Sequence, residues 1–293
     1  MIPPLTPFGD RLSATFAAYG QLCVGIDPHG SLLDSWGLDD SADGAREFGL
    51  RVVDACAGRV GIVKPQVAFY ERHGSGGYAA LERVLAEARD ADLLVIADAK
   101  RGDIGSSLAG YGEAWLTPGS PLEADAMTLA AYQGLGSIEP VLKQAELAGK
   151  GAFVLAATSN PEAVAIQRSV LQQSSRAGST VAGAIVSGVI GWNQFQADAA
   201  GRAFGSVGVV IGATVDLAAS GIDVDGEPPR PGLPVLAPGF GHQGAEPAEF
   251  RRIFRAFAGG TIVTESRSIL GAGPDGIADA IARRVDLVGA AGA

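Results

Sequence analysis

Eight short apolar runs, each closing on a polar or charged residue, constrain what this chain can fold into more than any other feature of its sequence. They are LCVGID (22–27), GIVKPQ (61–66), LLVIADAK (93–100), AMTLA (126–130), GAFVLAATS (151–159), VGVVIGAT (207–214), PVLAPG (234–239) and TIVTESR (261–267). Continuous Val/Ile/Leu runs of this kind are what strands of a parallel sheet look like when helices cover the outer face. Between them lie stretches of helical period, among them 43–56, 77–90, 138–147, 247–257 and 274–288, each long enough for a crossover helix. Strict alternation of eight such units predicts an α/β fold, a (β/α)8 TIM barrel built as a single domain over residues 1–293. The longest interval, 161–206, has room for more than one helix and is interrupted by a glycine-rich stretch at 177–183. It reads as an insertion after strand 5, not as a domain boundary.

A doubly wound open sheet would use the same alternation. Two features favour the barrel. The first run is followed by no GxGxxG and ends in an acid, which does not suit a dinucleotide-binding turn. Polar residues end almost every run, as expected when all eight loops surround one mouth.

Charge excludes some partners. Asp and Glu outnumber Lys and Arg by 32 to 22, giving a formal charge of -10, and no window clusters the bases as a phosphate-backbone binder needs. Nucleic acid is therefore not an expected partner. A small anionic substrate remains open, because a few placed cations create a local field that the net charge does not report. The two cysteines, Cys23 and Cys56, make neither a disulfide framework nor a CxxC site, so a reducing cytosol is expected. The N-terminal segment MIPPLTPFGDRL has no basic region followed by an apolar one, and no apolar stretch of about 18 residues occurs. A soluble, cytoplasmic protein without a membrane partner is the expectation.

The strongest chemical signal is Asp98-Ala99-Lys100-Arg101-Gly102-Asp103 at the end of the third run. Residues i and i+2 of a strand project to one face, so Asp98 and Lys100 both point into the predicted mouth, with Asp103 at the start of the next helix. A surface salt bridge would also use a DxK, but the preceding LLVIA run places these charges at the catalytic end of a buried strand. Lys64 ends the second run and Asp27 the first. Buried charges of this kind persist only when mutually paired, and carboxylates beside Lys100 would hold it protonated as a proton donor. On the far side of the mouth, Pro238-Gly239-Phe240-Gly241-His242-Gln243-Gly244 follows strand 7 and Ser266-Arg267-Ser268 ends strand 8. Glycines admit backbone N–H groups to an anion and Arg267 offers two donors, a pairing that predicts a phosphate site.

Other candidates carry less. Thr158-Ser159-Asn160-Pro161 could hydrogen-bond a polar ring, although it is also an ordinary helix start. Three histidines without HxH or HExxH spacing make a metal site unexpected, and Asp223-Val224-Asp225-Gly226-Glu227 lacks the remaining ligands of a calcium loop.

Taken together, LCVGIDPH, VKPQVAFYE, IADAKRGDIGSS, FVLAATSNPE, VGVVIGAT and PGFGHQG resemble the orotidine 5'-phosphate decarboxylase family, in its longer bacterial, mycobacterial-type branch, from about Leu22 to Arg267. The resemblance implies a barrel that works as a homodimer without cofactor or metal, converting orotidine 5'-monophosphate to uridine 5'-monophosphate and carbon dioxide. It implies that Lys64, Asp98 and Lys100 form a charged network completed by Asp103 of a second copy. Asp27 would bind the ribose hydroxyls with Lys64, Ser107 would reach the ribose from the second copy, and Ser159 would read the pyrimidine edge. Gly239, Gln243 and Arg267 would hold the phosphate. The chain departs from the family pattern after strand 4, where Ala130 and Ala131 precede Tyr132, and at His242, which replaces a commonly small residue. The alternatives are a magnesium-dependent sugar-phosphate decarboxylase or lyase with the same DxKxxD, and a barrel that only binds a nucleotide.

Overall fold

The computed structural model describes residues 5–173, 175–196 and 201–291. Positions 1–4 of the N-terminal segment, and positions 174 and 197–200 of the predicted insertion, lie outside the described residues. Eight strands are present among the described residues: β1 (Leu22–Ile26), β2 (Ile62–Pro65), β3 (Leu94–Arg101), β4 (Ala126–Leu129), β5 (Gly151–Ala157), β6 (Val207–Ile211), β7 (Val235–Ala237) and β8 (Thr261–Glu265). They follow chain order around a closed barrel, with β8 returning parallel to β1. Each apolar run supplies one strand, and the open-sheet alternative falls.

Among the described residues, twelve α-helices surround the strands. They are α1 (Phe8–Tyr19), α2 (Gly30–Ser35), α3 (Ala42–Cys56), α4 (Val67–Glu71), α5 (Gly74–Asp90) and α6 (Gly105–Leu116), then α7 (Leu135–Leu147), α8 (Val164–Gln167), α9 (Val181–Gln194), α10 (Phe250–Phe254), α11 (Arg267–Leu270) and α12 (Gly273–Ala290). Their starts follow local chemistry where a capping side chain is present. The Gly44 N–H donates to Ser41 Oγ at 3.1 Å to open α3, and α3 packs its apolar face on α5 and the barrel.

The runs conceal a two-residue period because both faces are apolar. Cys23, Ile62, Ile96, Phe153, Leu236 and Ile262 meet inside the barrel, whereas Val24, Val63, Val95, Met127, Val154 and Val263 face the helices. The floor of the interior is closed by α1, which the strand-and-helix pattern does not reveal. Phe8 and Leu12 are fully buried in the inner cluster, and the Phe8 ring stands edge-on to Phe153 with centroids 5.9 Å apart.

Two sequence expectations need adjustment. The glycine-rich break at 177–183 ends at Thr180, whose Oγ1 accepts the Gly183 N–H at 3.0 Å, so Gly183 lies in the first turn of α9. Because α9 packs on β5 and β6, it is the crossover helix between them, and the inserted part of the interval is the segment before it. The 247–257 stretch is not one helix. A turn at Pro247–Glu249 leads into α10, and Arg255, at φ 41°, breaks it into a second turn at Arg255–Gly260. No helix among the described residues is long and apolar enough to cross a membrane.

Candidate active site

Toward the C-terminal ends of the strands the inward-facing residues change from apolar to polar. They border a cavity of about 240 Å³, with Asp27, Lys64, Gln66, Asp98 and Lys100 on one wall and Gly239, His242, Gln243, Ser266 and Arg267 on the other. Three larger grooves, of about 700, 840 and 380 Å³, lie elsewhere, and none is lined by a lysine among the described residues. The paired charges and the glycine-rich loop meet only in the smaller cavity, at the barrel end where such sites are found.

Asp98 is the hub of the charged wall. Its Oδ2 accepts from Lys64 Nζ at 2.9 Å and Gln66 Nε2 at 3.0 Å, and its Oδ1 accepts from Lys100 Nζ at 2.6 Å and Thr128 Oγ1 at 3.0 Å. Burial by itself would neutralise this carboxyl, but Lys64 and Lys100 outweigh it and hold the pKa well below the usual carboxylate range. Burial likewise works against charge on Lys64, and the attraction of Asp98 and Asp27 overcomes it, raising the ammonium above its ordinary value. The two lysines differ in access. The Lys64 side chain is 7% exposed and that of Lys100 is 44% exposed, so Lys100 presents its ammonium to the cavity. Space beside this network depends on Gly25, where a Cβ would stand 1.9 Å from Ser266 Oγ. Among the described residues Asp27 Oδ1 is buried without a hydrogen-bond partner.

A break in the sheet aims Lys100. The β3–β4 ladder pairs Ala97 with Met127 and resumes only at Arg101 with Leu129, and within that interval Lys100 adopts φ 49°. Such bulges re-aim side chains next to functional sites.

The opposite wall is a backbone cradle. Gly239 and Gly241 have φ of 114° and 66°, conformations that L side chains rarely adopt. A Cβ on Gly241 would also lie 2.4 Å from Glu265 Oε2, so the loop sits tightly on the end of β8. Arg267 begins α11 directly after Ser266, is exposed, and forms no ion pair among the described residues.

Seven of the ten residues expected from sequence line this cavity: Asp27, Lys64, Asp98, Lys100, Gly239, Gln243 and Arg267. Ser159 does not. It lines an adjoining cavity of about 190 Å³, and its neighbour Thr158 borders both. Gln167 clamps Thr158, accepting its N–H and donating to its Oγ1, each at 2.9 Å. Asp103 and Ser107 stand outside the cavity: Asp103 Oδ1 accepts the Ile104 N–H at 2.8 Å, and Ser107 is exposed on the first turn of α6. Gln66 and Thr128, both in contact with Asp98, are site residues that sequence reasoning missed. Among the described residues, no group of three His, Cys, Asp or Glu side chains is placed to hold a metal.

Comparison with known proteins agrees with this geometry. The model of the orotidine 5'-phosphate decarboxylase / HUMPS family matches residues 20–281. The chain is 45% identical to the Salinispora tropica orotidine 5'-phosphate decarboxylase over 92% of each chain, and 43% identical to that of a Nocardioides species over 96% of this chain and 98% of the relative. Among solved structures, a Streptomyces avermitilis protein superposes with a TM-score of 0.89 at 42% identity, covering 99% of this chain and 97% of that one. Leishmania donovani OMP decarboxylase does so with a TM-score of 0.70 at 26% identity, covering 97% and 98%. The chain belongs to the orotidine 5'-phosphate decarboxylase / HUMPS family.

Proposed function

We propose that the cavity between the charged wall and the glycine-rich loop binds orotidine 5'-monophosphate, and that Lys100 carries the chemistry. The reaction is the decarboxylation of orotidine 5'-monophosphate to uridine 5'-monophosphate and carbon dioxide, the last step of UMP biosynthesis. The magnesium-dependent sugar-phosphate reading is not favoured, because relatives matched over nearly the whole chain carry the decarboxylase name.

When the C6–carboxylate bond breaks, its electron pair stays on C6 in the plane of the pyrimidine ring, where the π system cannot delocalise it. Stabilisation must then come from fixed charge. The observation that carries the proposal is Lys100 Nζ, tethered 2.6 Å from Asp98 and facing the cavity. It stabilises the carbanion and transfers a proton from Nζ to C6 as carbon dioxide leaves. Asp98 faces the departing carboxylate, and Lys64 keeps Asp98 ionised. Asp27 and Lys64 take the ribose hydroxyls, Thr158, which borders the cavity where Ser159 does not, the pyrimidine edge, and Gln243, Gly239 and Arg267 the phosphate. Binding energy from the remote phosphate is then available to order the reacting end.

Asp103 and Ser107 complete the site of a second copy in this proposal. Support comes from their position outside their own cavity and from Ile104 and Tyr132, which are 61% and 83% exposed on the neighbouring loops after β3 and β4. A cytoplasmic location fits the two buried free thiols, Cys23 and Cys56.

Lys100→Ala should lower kcat by on the order of 10³-fold or more while the protein stays folded. Retention of a tenth of the activity sinks the assignment. Mixing Lys100→Ala with Asp103→Ala protomers should restore activity, since a hybrid dimer holds one intact site. Subunit exchange without recovery overturns the sharing.

A further inference from the structure

We propose that Thr128 is a positioning residue that holds both ends of Lys100, its backbone directly and its ammonium through Asp98. This rests on the reading of Lys100 as the proton donor. Thr128 lies on the inner face of β4 and is fully buried. A threonine hydroxyl offers one proton and two lone pairs. Here Oγ1 accepts the Lys100 backbone N–H at 2.8 Å and donates to Asp98 Oδ1 at 3.0 Å. That Asp98 oxygen is the one that receives Lys100 Nζ at 2.6 Å.

The position of this hydroxyl in the sheet gives it weight. Between the pairings Ala97–Met127 and Arg101–Leu129, residues 98–100 of β3 stand opposite the single residue Thr128 of β4. A regular ladder would satisfy the Lys100 N–H from the neighbouring backbone. In the bulge a side chain does so. Lys100 at φ 49° occupies the left-handed region, which is strained for a residue with a side chain and persists only where its surroundings enforce it. The two hydrogen bonds of Thr128 are that enforcement. Without them the bulge can relax toward an ordinary strand, and Nζ leaves the place where C6 must be met. Among the described residues the Thr128 hydroxyl bonds Lys100 and Asp98 and none of the groups assigned to the ribose or phosphate, so the loss falls on the chemical step.

A purely structural role predicts something different, and two near-isosteres separate the readings. Thr128→Val keeps the volume and loses the hydroxyl, whereas Thr128→Ser keeps the hydroxyl and loses a methyl group. If Thr128 only fills space, Val is the milder change. If it positions Lys100, Ser is.

The experiment measures kcat and KM for orotidine 5'-monophosphate in Thr128→Val, Thr128→Ser and Thr128→Ala, beside Lys100→Ala and with thermal unfolding of each. Val should lower kcat by about 10- to 100-fold with KM within about threefold of the parent, and Ser should keep kcat within about threefold. Thr128→Ala carries the expectation for Val should Val fail to fold. A Val or Ala protein as fast as the parent, or faster than Ser, overturns the proposal, as does a loss confined to KM. If Lys100→Ala stays active, the reading of the lysine fails first. If Lys100→Ala is inactive and Thr128→Val is fast, only the role of Thr128 falls.

Discussion

The two ends of the barrel hold similar charge clusters put to different use. At the floor, Asp125 Oδ1 accepts from Arg11 Nη1 at 2.5 Å and lies 3.7 Å from Lys150 Nζ, while its Oδ2 accepts the Val95 N–H at 2.9 Å. At the mouth, Asp98 sits between Lys64 and Lys100 at 2.9 and 2.6 Å. Each cluster is one buried carboxylate between two cations. The floor cluster spends all its bonds inside the fold: Arg11 also donates to the Gly149 carbonyl, and Lys150 to Glu123. It ties α1 to β3 and β5. The mouth cluster leaves the Lys100 side chain 44% exposed to a cavity, against 8% for Lys150. The mouth cluster thus differs from the floor cluster in holding a paired charge open to a cavity.

The largest expected break in this comparison is at the floor. Asp125→Ala leaves Arg11 and Lys150 without their shared partner and should cost about 3–5 kcal/mol of stability, as loss of one member of a buried ion cluster typically does. The kcat of the folded fraction should stay at the parent value. Thermal unfolding and active-site-normalised kinetics check both halves. A variant of unchanged stability but reduced kcat would merge the two clusters into one functional unit.

A smaller effect is expected on the far wall of the mouth. Arg267→Ala removes the cation from the proposed phosphate site and should lower kcat/KM by on the order of 100-fold, with the fold intact. Inorganic phosphite or phosphate added to an assay of the phosphate-free nucleoside offers a second reading of the same cradle. An unchanged kcat/KM would remove Arg267 from the site.

The fold was legible because each strand is buried on both faces and so appears as an uninterrupted apolar run ending in polar residues. The charged wall was legible for a related reason: Asp98 and Lys100 follow five apolar residues, LLVIA, which puts both charges at the end of a buried strand. The role of Thr128 was not. AMTLA reads as one more apolar run, and the hydroxyl gains its task only from a register shift in the neighbouring strand, which leaves no local trace in sequence. α1 is similar: Phe8 and Leu12 look like one face of any surface helix until the barrel floor receives them. Asp103 and Ser107 stand apart for another reason, because one chain does not bring them to the cavity that its own Lys100 faces.

The smallest expected effect tests the loop side against the charged wall by pH. Glu265 ends β8 with its side chain fully buried behind the glycine-rich loop; Oε2 accepts from Ser268 Oγ at 2.5 Å and lies 3.3 Å from Arg284 Nε, and Oε1 is buried without a partner among the described residues. Burial pushes this carboxyl above its ordinary range, against the opposing pull of Ser268 and Arg284. Asp98 is shifted the other way by its lysines. The signs follow by linkage. A carboxyl raised in the folded state keeps a proton that the unfolded chain has lost, so its contribution is full below the unfolded pKa and fades as pH rises through the folded one. Glu265→Gln is a neutral near-isostere that can still meet Ser268 and Arg284, and it removes that dependence. The Tm of Glu265→Gln relative to the parent should therefore climb as pH is raised from about 4 through the carboxylate range to about 7. Asp98 is common to both proteins, so the difference between their curves removes its contribution. Parallel Tm curves across that window would show that burial does not shift this carboxyl, and that the loop is seated on an ordinary ion pair.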